Sequence, residues 1–266
     1  MSLPEPSADA CVVVTGASSG IGAALAERLA ARGHALVLVA RRADRLTELA
    51  QRLAARHGAP AEIRACDLAD CTARRELLAE LADRDIAALC NNAGFATFGE
   101  VHELDAERER EEVELNVVAM HELTLAVLPG MVRRRSGAIL ITGSTAGFQP
   151  LPGEATYGAS KAFANSFAEA LHVELRGTGV SCTLLAPGPV RTEFTRVAGV
   201  ASTETTVPGF VWETPSRVAD AAVAGLERGR RRVVPGLPAQ AMTLSQFVPH
   251  GVLLPVIRRV YRRYGL

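Results

Sequence analysis

The sequence predicts an α/β protein: a single doubly wound domain, with a parallel sheet of about seven strands and helices on both faces. Three observations lead there. Short apolar runs alternate with longer amphipathic ones along most of the chain. A glycine-rich turn joins the first apolar run directly to the first amphipathic one. The 266 residues contain no internal repeat, low-complexity tract or linker that would split them. Strand–helix alternation with continuously apolar strands marks a parallel sheet buried on both faces.

The elements follow in order. Cys11–Thr15 reads as a strand and Gly20–Arg32 as a helix, then Ala35–Ala40 as strand and Ala43–His57 as helix. Glu62–Asp67 is a strand, Thr72–Leu81 a helix and Ala87–Asn91 a strand, before long helical patterns at Asp105–Val127 and Pro129–Arg135. Gly137–Gly143 is a strand, Gly153–Leu175 a helix, Val180–Ala186 a strand, Pro215–Arg228 a helix and Arg232–Pro235 a short last strand. Residues 1–238 form this domain, and 239–266 are an amphipathic extension packed on it or at an interface.

Composition narrows the function classes. The chain is 48% hydrophobic and 22% charged, with 29 basic and 29 acidic residues and a formal net charge of zero. No overall field favours nucleic acid. The basic runs Arg133–Arg135 and Arg228–Arg232 carry no interleaved aromatics and read as solvated faces. The N-terminus has neither a basic region nor an apolar region of a secretory signal, and no uninterrupted apolar run reaches the length of a membrane span. None of Cys11, Cys66, Cys71, Cys90 and Cys182 forms a Cys-x-x-Cys pair, so reduced, mostly buried thiols in a cytoplasmic protein are expected. Histidine spacing indicates no metal.

Two motifs carry chemistry. Thr15-Gly16-Ala17-Ser18-Ser19-Gly20-Ile21-Gly22 closes the first strand and opens a helix. Such a turn presents bare backbone N–H groups and a positive helix end to a phosphate. Tyr157 and Lys161 stand four apart on one helix face, with Ser144 thirteen residues before the tyrosine. A nearby ammonium lowers a phenol's pKa, so the pair can exchange a proton with an oxygen that the serine holds.

With these residues the chain resembles the short-chain dehydrogenase/reductases, in the branch of about 250 residues, across residues 10–235. The matching pieces are the Thr15–Gly22 turn, Asp67-Leu68, Asn91-Asn92-Ala93-Gly94, Asn116, Ser144, Tyr157-x-x-x-Lys161 and Pro187-Gly188-Pro189-Val190-Arg191-Thr192. The resemblance implies a Rossmann-type fold and a hydride exchanged between a nicotinamide and a carbonyl or secondary alcohol. It implies that Tyr157 is the general acid or base, Lys161 its partner on the nicotinamide ribose, Ser144 the carbonyl-polarising hydroxyl and Asn116 the holder of a relay water. It implies cofactor contacts at Gly16, Ser18, Ser19, Gly20, Ile21 and Gly22, at Asp67 and Leu68, at Asn92, Ala93 and Gly94, and at Pro187, Gly188, Val190 and Thr192, besides Tyr157 and Lys161.

The second strand ends Ala40-Arg41-Arg42. An acidic residue at Ala40 would favour NAD(H); Arg41, with Arg42 and Ser18 beside it, favours NADP(H) through a 2′-phosphate. Phe95, Phe148, Gln149, Leu151, Phe194 and Trp212 are the expected substrate pocket, with 194–212 as its lid. The expected substrate is a hydrophobic ketone, aldehyde, 3-oxoacyl ester or ketosteroid. A catalytically silent cofactor-binding sensor, or an epimerase or dehydratase on the same fold, remains an alternative. The tail, with Phe247, Leu253, Leu254, Val256 and Ile257 among Arg258, Arg259, Arg262 and Arg263, suits packing or a subunit contact in a homodimer or homotetramer; an anionic membrane surface is the lesser reading.

Overall fold

Seven strands line up in the order β3-β2-β1-β4-β5-β6-β7 in the computed structural model, which describes residues 2–194 and 208–264. The strands are β1 Cys11–Thr15, β2 Ala35–Ala40, β3 Ala61–Ala65, β4 Ile86–Asn91, β5 Gly137–Thr142, β6 Val180–Leu185 and β7 Arg232–Val233. Every neighbouring pair is parallel. β1, β4 and β6 are buried throughout, as β-branched and apolar runs such as Val12-Val13-Val14 require in a sheet covered on both sides. The order reverses between β1 and β4, which opens a crevice at their carboxyl ends.

Helices α1 Gly20–Ala30 and α2 Ala43–His57 cover one face, joined by α7 Pro215–Glu227; α3 Cys71–Ala82, α5 Met120–Arg134 and α6 Ala155–Glu174 cover the other. In α2 the buried residues Leu46, Leu49 and Leu53 recur at helical spacing, and Gly58 ends the helix at φ 63, a conformation that glycine adopts without strain. Each fully buried leucine of this kind contributes about 1.5–3 kcal/mol. β3 is an edge strand and only half-buried; its Glu62 and Arg64 join Glu80 and Arg84 in an ion-pair cluster that keeps the edge polar.

Several element ends shift by a residue or two from expectation, and three differences carry a structural reason. β3 ends at Ala65, two residues before Asp67, because the chain turns there to bring the Asp67 carboxylate onto the Ala69 N–H at 3.0 Å. The expected helix across Asp105–Val127 is α4 Ala106–Val113 followed by a π-helical turn, Glu114–Ala119, that carries Asn116. Pro129 does not divide the next helix: α5 runs through it to Arg134. The ring removes the bond to the Leu125 carbonyl, and Leu125 lies on an exposed face where water can replace that partner.

By length and composition the run Ala106–Arg134 could also cross a membrane. Here its α5 part packs Leu123, Val127 and Met131 into the core beside the sheet. All five cysteines are free; only Cys71, at the head of α3, is exposed. The basic runs are not wholly solvated faces: Arg134 bonds Asp85 at 2.9 Å, and Arg232 pairs with Glu169 and lies over the Phe148 ring at 4.7 Å. Beyond β7 the chain forms α8 Leu237–Met242, a 3-10 turn Thr243–Phe247 and α9 His250–Tyr264.

Candidate active site

The crevice between β1 and β4 is stitched by Thr15, whose hydroxyl accepts from the Asn92 and Ala93 N–H groups at 2.9 and 3.0 Å. The Asn92 amide donates back to the Thr15 carbonyl at 3.1 Å. Two glycines make the turn fit. Gly16 sits at φ +67, and a Cβ on Gly22 would stand 2.2 Å from the Gly16 carbonyl oxygen. Ser19 precedes α1 in extended conformation, with no side-chain cap bond and no acidic residue in the first turn. The amino end of α1 therefore keeps its N–H groups and positive dipole for an anion. Ile21 packs on the core beneath.

The arginines after β2 divide. Arg42 donates to the Ser18 hydroxyl at 3.0 and 3.3 Å and pairs with Glu193 at 2.8 Å. Arg41 instead faces Asp67 at 3.7 Å. A cleft of about 470 Å³ opens beside this turn, lined among others by Ser18, Gly20, Arg45, Arg191 and Thr192. Leu68 is buried, and its carbonyl accepts from Arg74 at 2.7 Å. Arg74, itself only 3% exposed, also bonds Glu122 and Glu114 and so ties this turn to the helix layer. Sequence reasoning passed over Arg74, since an arginine in an amphipathic helix carries no sign of its burial.

The second half of the site stands on β5 and α6. Ser144 follows β5; its hydroxyl accepts from the Ala146 N–H at 3.1 Å. Asn165, one helical turn beyond Lys161, clamps the Ser144 backbone: its amide donates to the Ser144 carbonyl at 3.0 Å and its Oδ1 accepts from the Ser144 N–H at 3.3 Å. This buried asparagine was also missed; only its i+4 spacing from Lys161 pointed to it. Lys161 is 5% exposed and donates to the Thr142 carbonyl at 3.0 Å. Asn116 is turned inward by the π-helical turn. Its amide donates to the Phe95 carbonyl at 2.9 Å and to Ser160 Oγ at 3.1 Å, and its Oδ1 accepts from the Phe95 N–H at 3.2 Å. Gly94 lies between Asn116 and Lys161; a Cβ there would meet Asn116 Oδ1 at 2.8 Å and Lys161 Nζ at 3.4 Å.

The electrostatics differ from the simple pair argument. Enclosure by protein pushes the Tyr157 phenol above its usual pKa; the Ser144 hydroxyl offsets part of this, while Glu154 and Glu112 add to it. The Lys161 ammonium lies 5.8 Å from the Tyr157 ring centroid and does not reverse that direction. Burial in turn lowers Lys161 to about 8, with Glu112 opposing.

Around this core, Thr192 rests on the glycine turn, where a Gly20 Cβ would meet its methyl at 3.0 Å. The Pro187 carbonyl accepts from the Thr145 N–H at 3.0 Å, Gly188 touches Ala239 of α8, and Val190 pairs as an isolated bridge with Glu213. The Phe194 ring stands 5.6 Å from that of Tyr157, and Leu151 backs Gly158. Gln149 accepts a bond from Ser245 of the tail. Phe95 is buried under the Arg108 guanidinium at 3.9 Å. The described ring contacts of Phe148 and Trp212 are with Arg232 and Arg191. Most of the expected lid, 195–207, lies outside the described residues.

The family model for short chain dehydrogenase matches residues 10–201. The chain belongs to the short-chain dehydrogenase family. Sulfoacetaldehyde reductase 2 of Chromohalobacter salexigens is 40% identical over 193 residues, covering 70% of this chain and 75% of that protein. Among solved structures, a short-chain dehydrogenase from Sphingobium yanoikuyae in complex with NADPH superposes with a TM-score of 0.82 at 35% identity, covering 94% of this chain and 95% of the other. The bulky-bulky ketone specific alcohol dehydrogenase of Comamonas testosteroni gives a TM-score of 0.78 at 31% identity, covering 92% and 93%. As a family member this chain is an oxidoreductase acting on CH–OH and C=O groups.

Proposed function

We propose that this chain is an NADP(H)-dependent carbonyl reductase whose preferred substrate is a hydrophobic ketone or aldehyde. One observation carries the reading: Ser144, Tyr157 and Lys161 gather at the carboxyl end of β5, on the same sheet edge as the uncapped glycine turn after β1. The residues fit the cofactor. A Cβ at Gly22 would collide with the Gly16 carbonyl and the Asn92 amide and break the turn whose N–H groups suit a diphosphate, and Ser18 with Arg42 offers donors for a 2′-phosphate. Asp67 would hold the adenine end. When bound, the cofactor supplies the hydride.

The chain's own residues handle the oxygen. Ser144 would donate to the substrate carbonyl, and Tyr157 would give it the proton, replenished through Lys161 and Asn116. The raised phenol pKa suits a proton donor at neutral pH. Phe194 beside Tyr157, with Leu151 behind α6, supports an apolar substrate. The bulky-ketone enzyme among the structural relatives accords with this; the sulfoacetaldehyde reductase shows that the family fold also serves a small anionic aldehyde. Exposed Leu125 on α5 and Phe163 and Val173 on α6 support a homo-oligomer built through that helix face. Free cysteines accord with a cytoplasmic location.

A panel of ketones and aldehydes graded in size and charge, followed with NADPH at the nicotinamide absorbance, tests the substrate class. Higher kcat/KM for bulky apolar carbonyls than for small anionic ones is expected; the reverse order overturns the apolar assignment.

A further inference from the structure

Glu112 is a fully buried carboxylate at the end of α4 that the proton path described above does not use. Its Oε2 accepts from the Thr97 N–H and the Thr97 hydroxyl, both at 2.8 Å. Its Oε1 faces the Asn116 amide at 3.5 Å. Asn116 Oδ1 and Lys161 Nζ both border Gly94 on the other side. Carboxylate, amide and ammonium thus occupy one buried cluster. The direct hydrogen bond of Lys161 is to a neutral carbonyl, that of Thr142, and among the described residues no carboxylate forms an ion pair with it.

A buried ammonium without a counter-charge is costly and tends to shed its proton. We propose that Glu112 is a positioning residue of the proton-transfer site: its buried carboxylate orients the Asn116 amide and keeps Lys161 protonated while Tyr157 works. This rests on the oxidoreductase reading of Tyr157 and Lys161. The titration behaviour agrees in direction. Glu112 is the acidic group that raises Lys161 against its burial. Burial lifts Glu112 itself to about 7, and Thr97 and Lys161 pull it back down while Glu109, on the same helix, pushes it up. From α6, Lys161 and Tyr157 face this cluster; from the loop before α4, Thr97 does; from the π-helical turn, Asn116 does. Above its own midpoint Glu112 is anionic and favours the ammonium. Removing its charge makes Lys161 lose its proton at lower pH, and Tyr157, which Glu112 also raises, moves the same way.

Two measurements test this. In the ligand-free protein with carboxyl-13C glutamate, NMR should show one carboxyl titrating near neutral pH, absent in Glu112→Gln, and its midpoint should rise by about one unit in Lys161→Met. In carbonyl reduction with NADPH, Glu112→Gln should move the alkaline limb of kcat down by about one pH unit with the KM for NADPH unchanged, and Glu112→Asp should restore the limb. A uniform loss of kcat at every pH with an unmoved limb, or a midpoint indifferent to Lys161→Met, overturns the proposal. If wild type turns over no carbonyl, the oxidoreductase reading fails instead, and the NMR midpoint still decides whether Glu112 and Lys161 are coupled. Should Glu112→Gln not fold, the wild type and Lys161→Met spectra suffice.

Discussion

Arg42, not Arg41, holds the Ser18 hydroxyl, and the same guanidinium carries the Glu193 carboxylate at 2.8 Å. Arg41 points to Asp67. A charge-assisted hydrogen bond contributes about 1.5–3 kcal/mol, which corresponds to roughly 10- to 150-fold in an equilibrium. Arg42→Ala should therefore weaken NADPH binding by about tenfold or more and leave NADH binding within about twofold. Isothermal titration with both cofactors checks this. Equal losses for the two would place Arg42 away from the 2′-phosphate. The two adjacent arginines are equivalent in a sequence; which one reaches Ser18 is settled by the turn between β2 and α2, where Arg42 is the extended residue before the helix.

At the scale of elements, the strand–turn–helix units declare themselves through local pattern. The glycine turn, Tyr157, Lys161 and Ser144 each sit at a strand end or on a helix whose period is plain in the chain. What lay beyond reach depends on distant contacts. Arg74 is buried only because Leu68, Glu114 and Glu122 converge on it. Asn165 matters because the Ser144 backbone lies against α6, close enough that a Cβ on Gly147 would stand 2.5 Å from the Lys161 carbonyl carbon. The π-helical turn at Asn116 has no local signature in Glu114–Ala119. Asn165→Ala removes both bonds to Ser144 and leaves buried backbone groups without partners, a loss of about 1–3 kcal/mol. Thermal unfolding should show a drop of several degrees, and kcat should fall more than NADPH affinity, because the displaced group is Ser144. An unchanged Tm would mean that another group holds the Ser144 backbone.

At the scale of the whole molecule, the tail packs beside residues proposed to line the substrate pocket and beside Gly188. Ala239 of α8 packs on Gly188, Ser245 bonds Gln149, and Leu254, Pro255 and Arg258 of α9 line a shallow cavity with Pro152 at the approach to α6. The cofactor turn lies at the other half of the crevice. Removing residues 250–266 should leave the Kd for NADPH within about twofold and alter KM most for the largest ketones, if α9 lines the proposed substrate approach beside Pro152. Sedimentation of the full-length and truncated proteins reports whether α9 joins subunits: an oligomer that dissociates on truncation places α9 in a contact, and an oligomer of unchanged order leaves the proposed α5–α6 face as the association surface. A matched loss of NADPH affinity would contradict this division of the crevice.

In the proposed mechanism Tyr157 delivers the proton and the glycine turn with its neighbours binds the cofactor. Stopped-flow NADPH binding and steady-state carbonyl reduction on wild type and Tyr157→Phe test it directly. A Kd for NADPH within about twofold and a kcat lowered by at least about 100-fold, the usual contribution of a positioned general acid, are expected. A Tyr157→Phe enzyme that keeps its kcat would contradict it.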